Sequence, residues 1–216
     1  MTKPLPILWY FADPMCSWCW GFSPVIETVR EHYRNRMKIA LMLGGLRPNT
    51  TMPMTQAECD GTLHHWQAVQ ARCGQAFDFA GAPAPGFVYD TEPASRAVIS
   101  VGAINPMASF PYFKAVQTAF YLERRDVTRT DVLIELALEQ SISREDFLTR
   151  FESDTLQQKT RQHFEHTRQA GVRGFPTLIA QDAAGHTVLS DGYRSLSEFQ
   201  SKLDAWLEAS QEGQDP

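Results

Sequence analysis

The chain reads as an α/β domain in which a large all-helical insertion separates an N-terminal strand–helix–strand unit from a C-terminal strand–strand–helix unit. Each part has its own signature. Ile7–Ala12 is a short run of aromatic and branched residues, and the apolar residues after it recur at helical spacing. The middle of the chain contains helical patterns and no convincing strand. From Pro176 onward the pattern returns to two short β-rich runs and one amphipathic helix.

Taken in order, Ile7-Leu-Trp-Tyr-Phe-Ala12 is a buried strand that stops at the turn signal Asp13-Pro14. A helix follows from Cys16 to about Tyr33, carrying Trp18, Phe22, Val25, Ile26 and Val29, with a bend expected at Pro24. Met37–Leu43 is the second strand, closed by Gly44-Gly45. A strand, helix, strand order of this length predicts parallel pairing. Thr55–Arg72 is a polar helix with Leu63, Trp66 and Val69, and Ala80–Pro93 is a Pro/Gly-rich loop. Further helices are predicted near Ala94–Ile104, Pro111–Glu123, Asp131–Gln140, Arg144–Phe151 and Asp154–Ala170. Pro176–Ala180 and Thr187–Leu189 form a hairpin through Asp182–Gly185. The last helix opens at Ser195, with Glu198 placed to complete a capping box, and aligns Phe199, Leu203, Trp206 and Leu207. The tail from Ser210 is expected to fray. The resulting boundaries are 1–48, 49–165 and 166–216.

Composition narrows the function. Of 216 residues, 43% are hydrophobic and 21% charged, with 13 Phe and 5 Trp, which is enough to build a core. The net charge of -5 and the scatter of the Lys and Arg residues argue against nucleic acid as a partner. The first apolar run falls far short of the about 18 residues that span a bilayer and lacks a signal peptide's pattern, so the expectation is a cytoplasmic protein with no membrane partner.

Four cysteines are too few for a disulfide scaffold. Cys16 and Cys19 form a Cys-x-x-Cys motif at the opening of a helix directly after a strand, the context in which that motif reads as a redox pair. Two thiols so spaced lie one helical turn apart, close enough to bridge. Unpaired N–H groups and the helix dipole favour the thiolate of Cys16, making it the expected nucleophile, while Cys19 resolves the mixed disulfide that Cys16 forms with a substrate. A structural zinc site would need a second ligand pair. His163-Phe-Glu-His166 reads instead as a helix face, and no metal or resident cofactor is expected.

A second element is Gly171-Val-Arg-Gly-Phe-Pro-Thr177, a proline at the start of a strand behind a glycine-flanked turn. Together with Asp13-Pro-Met-Cys-Ser-Trp-Cys-Trp-Gly21 and Gly44-Gly-Leu-Arg-Pro48, it resembles the DsbA-like branch of the thioredoxin superfamily. Within that branch the chain is most similar to FrnE-type members without a secretion signal. The likeness spans the chain, although the helical middle matches mainly in length, helical character and the His64-His-Trp66 region. It implies a thioredoxin fold interrupted by a helical insertion, and a cis bond between Phe175 and Pro176. Such a bond would turn the backbone of Phe175 toward a substrate chain for strand-like pairing. Ser17, Trp18, Phe175 and Pro176 are therefore the expected substrate-binding residues around the catalytic Cys16 and Cys19.

The sequence departs from the family at two places. Tyr10 stands six residues before Cys16, where many relatives have a buried acid that moves protons. Asp13 is nearer and is expected to be exposed at its turn. The dipeptide Ser17-Trp18 is neither of the familiar Gly-Pro and Pro-His pairs. Trp20 and Phe22 are assigned to the core rather than to an apolar lip. Cys59 and Cys73 would stand about 21 Å apart on one continuous helix and could not pair there, so both read as incidental thiols.

The implied activity is reduction or isomerisation of protein disulfides. Its substrates are disulfide-containing proteins or peptides, and electrons come from a cellular dithiol or from glutathione as co-substrate. The resemblance leaves two other readings: a kappa-type glutathione transferase or chromene-carboxylate isomerase, whose members use a serine where Cys16 stands, and a non-catalytic adaptor that delivers partners to a protease. The helical insertion is expected to control substrate access.

Overall fold

The computed structural model describes residues 5–212, with side chains to residue 210. Four strands form one sheet in the order β2-β1-β3-β4. Strand β1 (Ile7–Ala12) pairs in parallel with β2 (Lys38–Leu43), matching Ile7 with Lys38 and Ala12 with Leu43. It pairs antiparallel with β3 (Thr177–Asp182), and β3 forms a hairpin with β4 (Gly185–Asp191) whose register shifts between Leu178 and Ile179. Helix α1 (Ser17–His32) makes the crossover from β1 to β2. It buries Phe22, Ile26 and Val29 over the face of β1 that carries Leu8, Tyr10 and Ala12, all fully buried. Pro24 lies inside α1, which continues through it; the missing N–H leaves only the Trp20 carbonyl without its usual donor.

Helix α8 (Leu196–Glu212) shares that face, where Phe199 meets Phe22 at 6.2 Å between ring centroids. Phe199, Leu203, Trp206 and Leu207 are all buried, as their spacing demands. The start of α8 is tied by Glu198, which accepts the Ser195 N–H at 2.7 Å. The expected fraying from Ser210 does not occur there: Ser210 is buried and donates to Asp182 at 2.7 Å and to the Trp206 carbonyl at 2.8 Å. The tail beyond residue 212 and the first four residues lie outside the described residues.

Between β2 and β3 run α2 (Gln56–Cys73), α3 (Glu92–Ile104), α4 (Ser109–Tyr121), α5 (Thr130–Glu139), α6 (Arg144–Phe151) and α7 (Asp154–Gln169). Helix α2 carries a full capping box, Thr55 with Glu58, and ends at Gly74 with φ of +74°. It is unbroken at Gly61, so Cys59 and Cys73 stay 14 residues apart on one helix and cannot bridge. Helices α3 and α4 start about two residues earlier than their apolar periodicity suggested, because Pro93 and Pro111 sit inside first turns, where no backbone N–H is needed. Helix α7 covers the end of β2: the Leu43 N–H donates to His163 Nδ1 at 3.3 Å, and Thr167 bonds the Leu43 carbonyl at 3.4 Å. The rest of the block joins the sheet's core through aromatic contacts, such as Tyr10 with Phe113 at 6.2 Å. No described helix is long and apolar enough to cross a membrane.

Candidate active site

β1 ends in a tight turn that places Cys16 at the N-cap of α1. The Cys16 N–H donates to the Asp13 carbonyl at 3.1 Å, and the Cys16 carbonyl receives the Trp20 N–H at 3.0 Å, the first bond of the helix. Cys19 lies one turn on and is completely buried, whereas Cys16 retains 6% exposure. The two thiols lie near each other, and both are free. Burial, and then the Cys16 thiol beside it, push the Cys19 thiol well above the usual range. Of the pair, only Cys16 retains any exposure.

The second wall comes from the far end of the chain. The Phe175–Pro176 peptide bond is cis, Pro176 is buried, and the Cys16 thiol points at the Phe175 carbonyl, 3.6 Å away. The Phe175 ring leans on the Gly44-Gly45 turn. A Cβ on Gly44 would come within 1.9 Å of that ring, so only glycine fits there. A Cβ on Gly45, whose φ is +68°, would come within 2.8 Å of the Phe164 ring.

Asp13 corrects the sequence expectation. It is fully buried rather than exposed at the turn, because its carboxylate closes the loop from inside. Oδ1 accepts the Met15 N–H at 2.9 Å, and Oδ2 accepts the Leu46 N–H at 2.7 Å. Burial raises its pKa to about 6 even though those two bonds pull the other way. Tyr10 is also fully buried, and its hydroxyl has no hydrogen-bond partner among the described residues.

Around Cys16 opens a cavity of about 260 Å³, bounded by Trp18, Arg47, His65, Trp66, Tyr89 and Phe175. A second hollow of about 370 Å³ lies beyond Trp18 and Phe175, against Arg72 and Tyr193. Trp18 and Phe175 thus form the ridge between two depressions. Trp18 is half-buried and packs on Tyr193 at 5.7 Å, while Trp20 and Phe22 are core. Ser17 lines the first cavity. The expected residues Cys16, Ser17, Trp18, Cys19, Phe175 and Pro176 are therefore brought together.

Sequence reasoning missed the contribution of the helical block. Tyr89 donates its hydroxyl to the Met15 carbonyl at 2.5 Å and carries the Arg47 guanidinium 4.9 Å above its ring. Tyr121 stacks on Trp20, and Arg72 sits over Tyr193. Trp66, in the His64-His-Trp66 region, and Arg47, in the Gly44–Pro48 motif, had a local signal. The others lie in loops and helices whose residue types are ordinary. Of the pair His163 and His166, His163 accepts the Leu43 N–H, and no cluster of three or more potential metal ligands is found among the described residues.

With this geometry established, three comparisons bear on it. A family model described as the DSBA-like thioredoxin domain matches residues 7–204. A solved structure from Nitrosomonas europaea, proposed to be a protein disulfide isomerase, superimposes with a TM-score of 0.90 at 41% identity, covering 95% of this chain and 98% of that one. The cytosolic disulfide reductase DsbM from Pseudomonas aeruginosa with GSH gives a TM-score of 0.75 at 25% identity, covering 94% and 99%. Among curated proteins, the ClpXP adapter protein SpxH from Halalkalibacterium halodurans is 22% identical over 183 residues, which make up 82% of this chain and 58% of that protein. The chain therefore spans little more than half the length of that curated relative.

Proposed function

The chain belongs to the DSBA-like thioredoxin domain family, and from that premise we propose that it is a thiol–disulfide oxidoreductase that reduces or isomerises protein disulfides through Cys16 and Cys19. The observation that carries the reading is the asymmetry of the pair. Cys16 caps a helix at the edge of a cavity, and Cys19 is sealed one turn behind it. An incoming disulfide meets only Cys16. Its thiolate attacks one sulfur, the substrate S–S bond breaks, a mixed disulfide forms, and the first substrate sulfur leaves as a thiolate that takes a proton from water. Cys19 then attacks the Cys16 sulfur, the Cys16–Cys19 bond forms, and the second substrate thiol leaves with the proton that Cys19 gives up.

The substrate chain lies along Phe175, whose N–H meets no protein acceptor among the described residues and whose carbonyl already faces the nucleophile. Ser17 and Trp18 form the opposite bank. The helical block of residues 49–165 supplies His65, Trp66 and Tyr89 to the cavity wall and so selects what reaches Cys16. The neighbouring reductase solved with GSH supports glutathione as an electron source, with Arg47 and Arg72 placed to meet its carboxylates at the two depressions. The same neighbour, described as cytosolic, supports a cytoplasmic setting.

A redox titration in glutathione buffers, read by the fluorescence of Trp18 and Trp20 and checked by thiol trapping, tests the reading. A reversible two-electron transition lost in Cys16→Ser supports it, with a potential near about −270 mV marking a reductase and about −120 mV an oxidant. Turnover indifferent to Cys19→Ser would favour glutathione transfer instead. The likeness to SpxH favours a second reading, delivery of partners to a protease. Partner capture that survives loss of both cysteines would support it.

A further inference from the structure

Strand β2 is an edge of the sheet whose outward backbone is only partly answered. Strand β2 pairs only with β1, and the bonds Lys38 N–H to the Pro6 carbonyl and Gly44 N–H to the Ala12 carbonyl show which of its residues face inward. In a parallel ladder, alternate residues of a strand turn both backbone groups to the same neighbour. Residues 38, 40, 42 and 44 therefore serve β1, and Ile39, Leu41 and Leu43 point outward. At Leu43 that demand is met, since His163 accepts its N–H and Thr167 donates to its carbonyl. At Ile39 and Leu41 no described residue answers, which leaves two donors and two acceptors in line.

Those two residues line a groove of roughly 750 Å³ between β2, α1 and the turn from α3 to α4. Its other walls are of two kinds. Phe110, Met37 and Met107 are apolar, and Met107 is 80% exposed. Arg30, Arg34 and Lys38 are cationic. Arg30 lies flat on the Phe110 ring, 4.0 Å from its centroid. Among the described residues none of the three forms an ion pair, and no carboxylate lines the groove. Glu27, whose charge reaches Arg30, is held by Lys114 at 2.6 Å. A patch of three cations that form no ion pair among the described residues stands out on a chain whose net charge is -5.

We propose that this groove is a docking site for an extended, acidic segment of a partner protein, which adds a strand to the Ile39–Leu41 edge and sets its carboxylates against Arg30, Arg34 and Lys38. The open backbone supplies affinity and the alternate side chains of the segment supply selectivity, apolar ones meeting Phe110 and Met107 and acidic ones meeting the cations. A second copy of this chain is the wrong occupant. Pairing two β2 edges would bring two such cationic sets together across one interface, and like charges so placed repel. The site is separate from Cys16, so it can hold a partner while the thiols work.

The test uses the full chain, isotopically labelled, and two synthetic nine-residue peptides, one alternating glutamate with valine and the other lysine with valine. The acidic peptide should bind saturably, shift the Ile39 and Leu41 amides and slow their hydrogen exchange. It should weaken as salt is added. The surface variant Arg34→Glu with Lys38→Glu should cut its affinity about tenfold or more while the melting temperature stays put. Ile39→Pro, which removes an outward N–H and no ladder bond, should weaken binding as well. The proposal is overturned if neither peptide binds, if the basic peptide binds as well as the acidic one, if the shifts fall elsewhere, or if the edge pairs only with another copy of the chain.

Discussion

Asp13 and Leu46 are joined from inside the protein: the buried carboxylate of one receives the backbone N–H of the other at 2.7 Å, tying the cysteine turn to the loop that follows β2. The second oxygen holds Met15, the residue before Cys16. One side chain thus sets the position of the Cys16 turn against the Gly44-Gly45 wall on which Phe175 rests.

Replacing Asp13 with alanine leaves two buried N–H groups without acceptors, each costing about 1–3 kcal/mol. The expected result is a clear loss of stability in urea, with a smaller loss in Asp13→Asn, whose amide retains a single acceptor oxygen. Equal stability of Asp13→Ala and wild type would refute the tie.

Asp13 and His163 should also tilt the pH dependence of stability in opposite directions. Burial raises Asp13 from 3.8 to about 6, so the folded state holds its proton more tightly than the unfolded state. Its contribution is whole below about 3.8 and is lost as pH rises through about 6, an effect on the order of 3 kcal/mol. His163 is lowered to about 4, first by burial and then by Lys159 and His166. Its contribution is whole above about 6.5 and is lost as pH falls toward 4, by a similar amount of about 3 kcal/mol. Denaturant titrations from pH 4 to 7 should therefore show acid sensitivity reduced in His163→Gln and alkaline sensitivity reduced in Asp13→Asn. Parallel curves for all three proteins would contradict both assignments.

Gly44→Ala places a methyl group where the Phe175 ring stands, 1.9 Å from its nearest atom. The ring or the turn must move, at an expected cost of about 1–3 kcal/mol. Phe175→Ala in the same chain should recover much of that loss, so a double-mutant cycle would give a strong coupling between the two positions. Additive effects would mean the contact is not what limits residue 44.

The unequal exposure of the cysteines predicts their labelling. With iodoacetamide and the native reduced protein, mass spectrometry should find Cys16 modified well before Cys19, whose thiol is both sealed and pushed up by burial. Urea should abolish the difference. Early labelling of Cys19 would contradict the proposed order of attack.

Much of this was legible in the residues themselves. Strand β1 is bounded by the same residues in sequence and structure, because Asp13-Pro14 is a local stop signal and Ile7–Ala12 has the composition of a buried strand. Helix α6 keeps its predicted ends for similar reasons: Ser143 caps it and Phe147 and Phe151 lie on one stripe. The spacing of Cys16 and Cys19 needs only helical geometry to make them neighbours. Such features depend on contacts within a few residues.

Other features depend on groups that meet only after folding. Asp13 reads as a turn residue until Leu46, 33 positions away, turns its N–H inward and the loop closes over it. Tyr89 and Phe175 converge on Cys16 from 73 and 159 positions away. The open edge at Ile39 and Leu41 exists because no other part of the described chain comes to pair with it. Local propensity and periodicity determined the elements and the dithiol. The buried acid, the cavity wall and the cationic groove were decided by packing, since burial and long-range proximity are properties of the assembled sheet and helices, which no window of sequence carries.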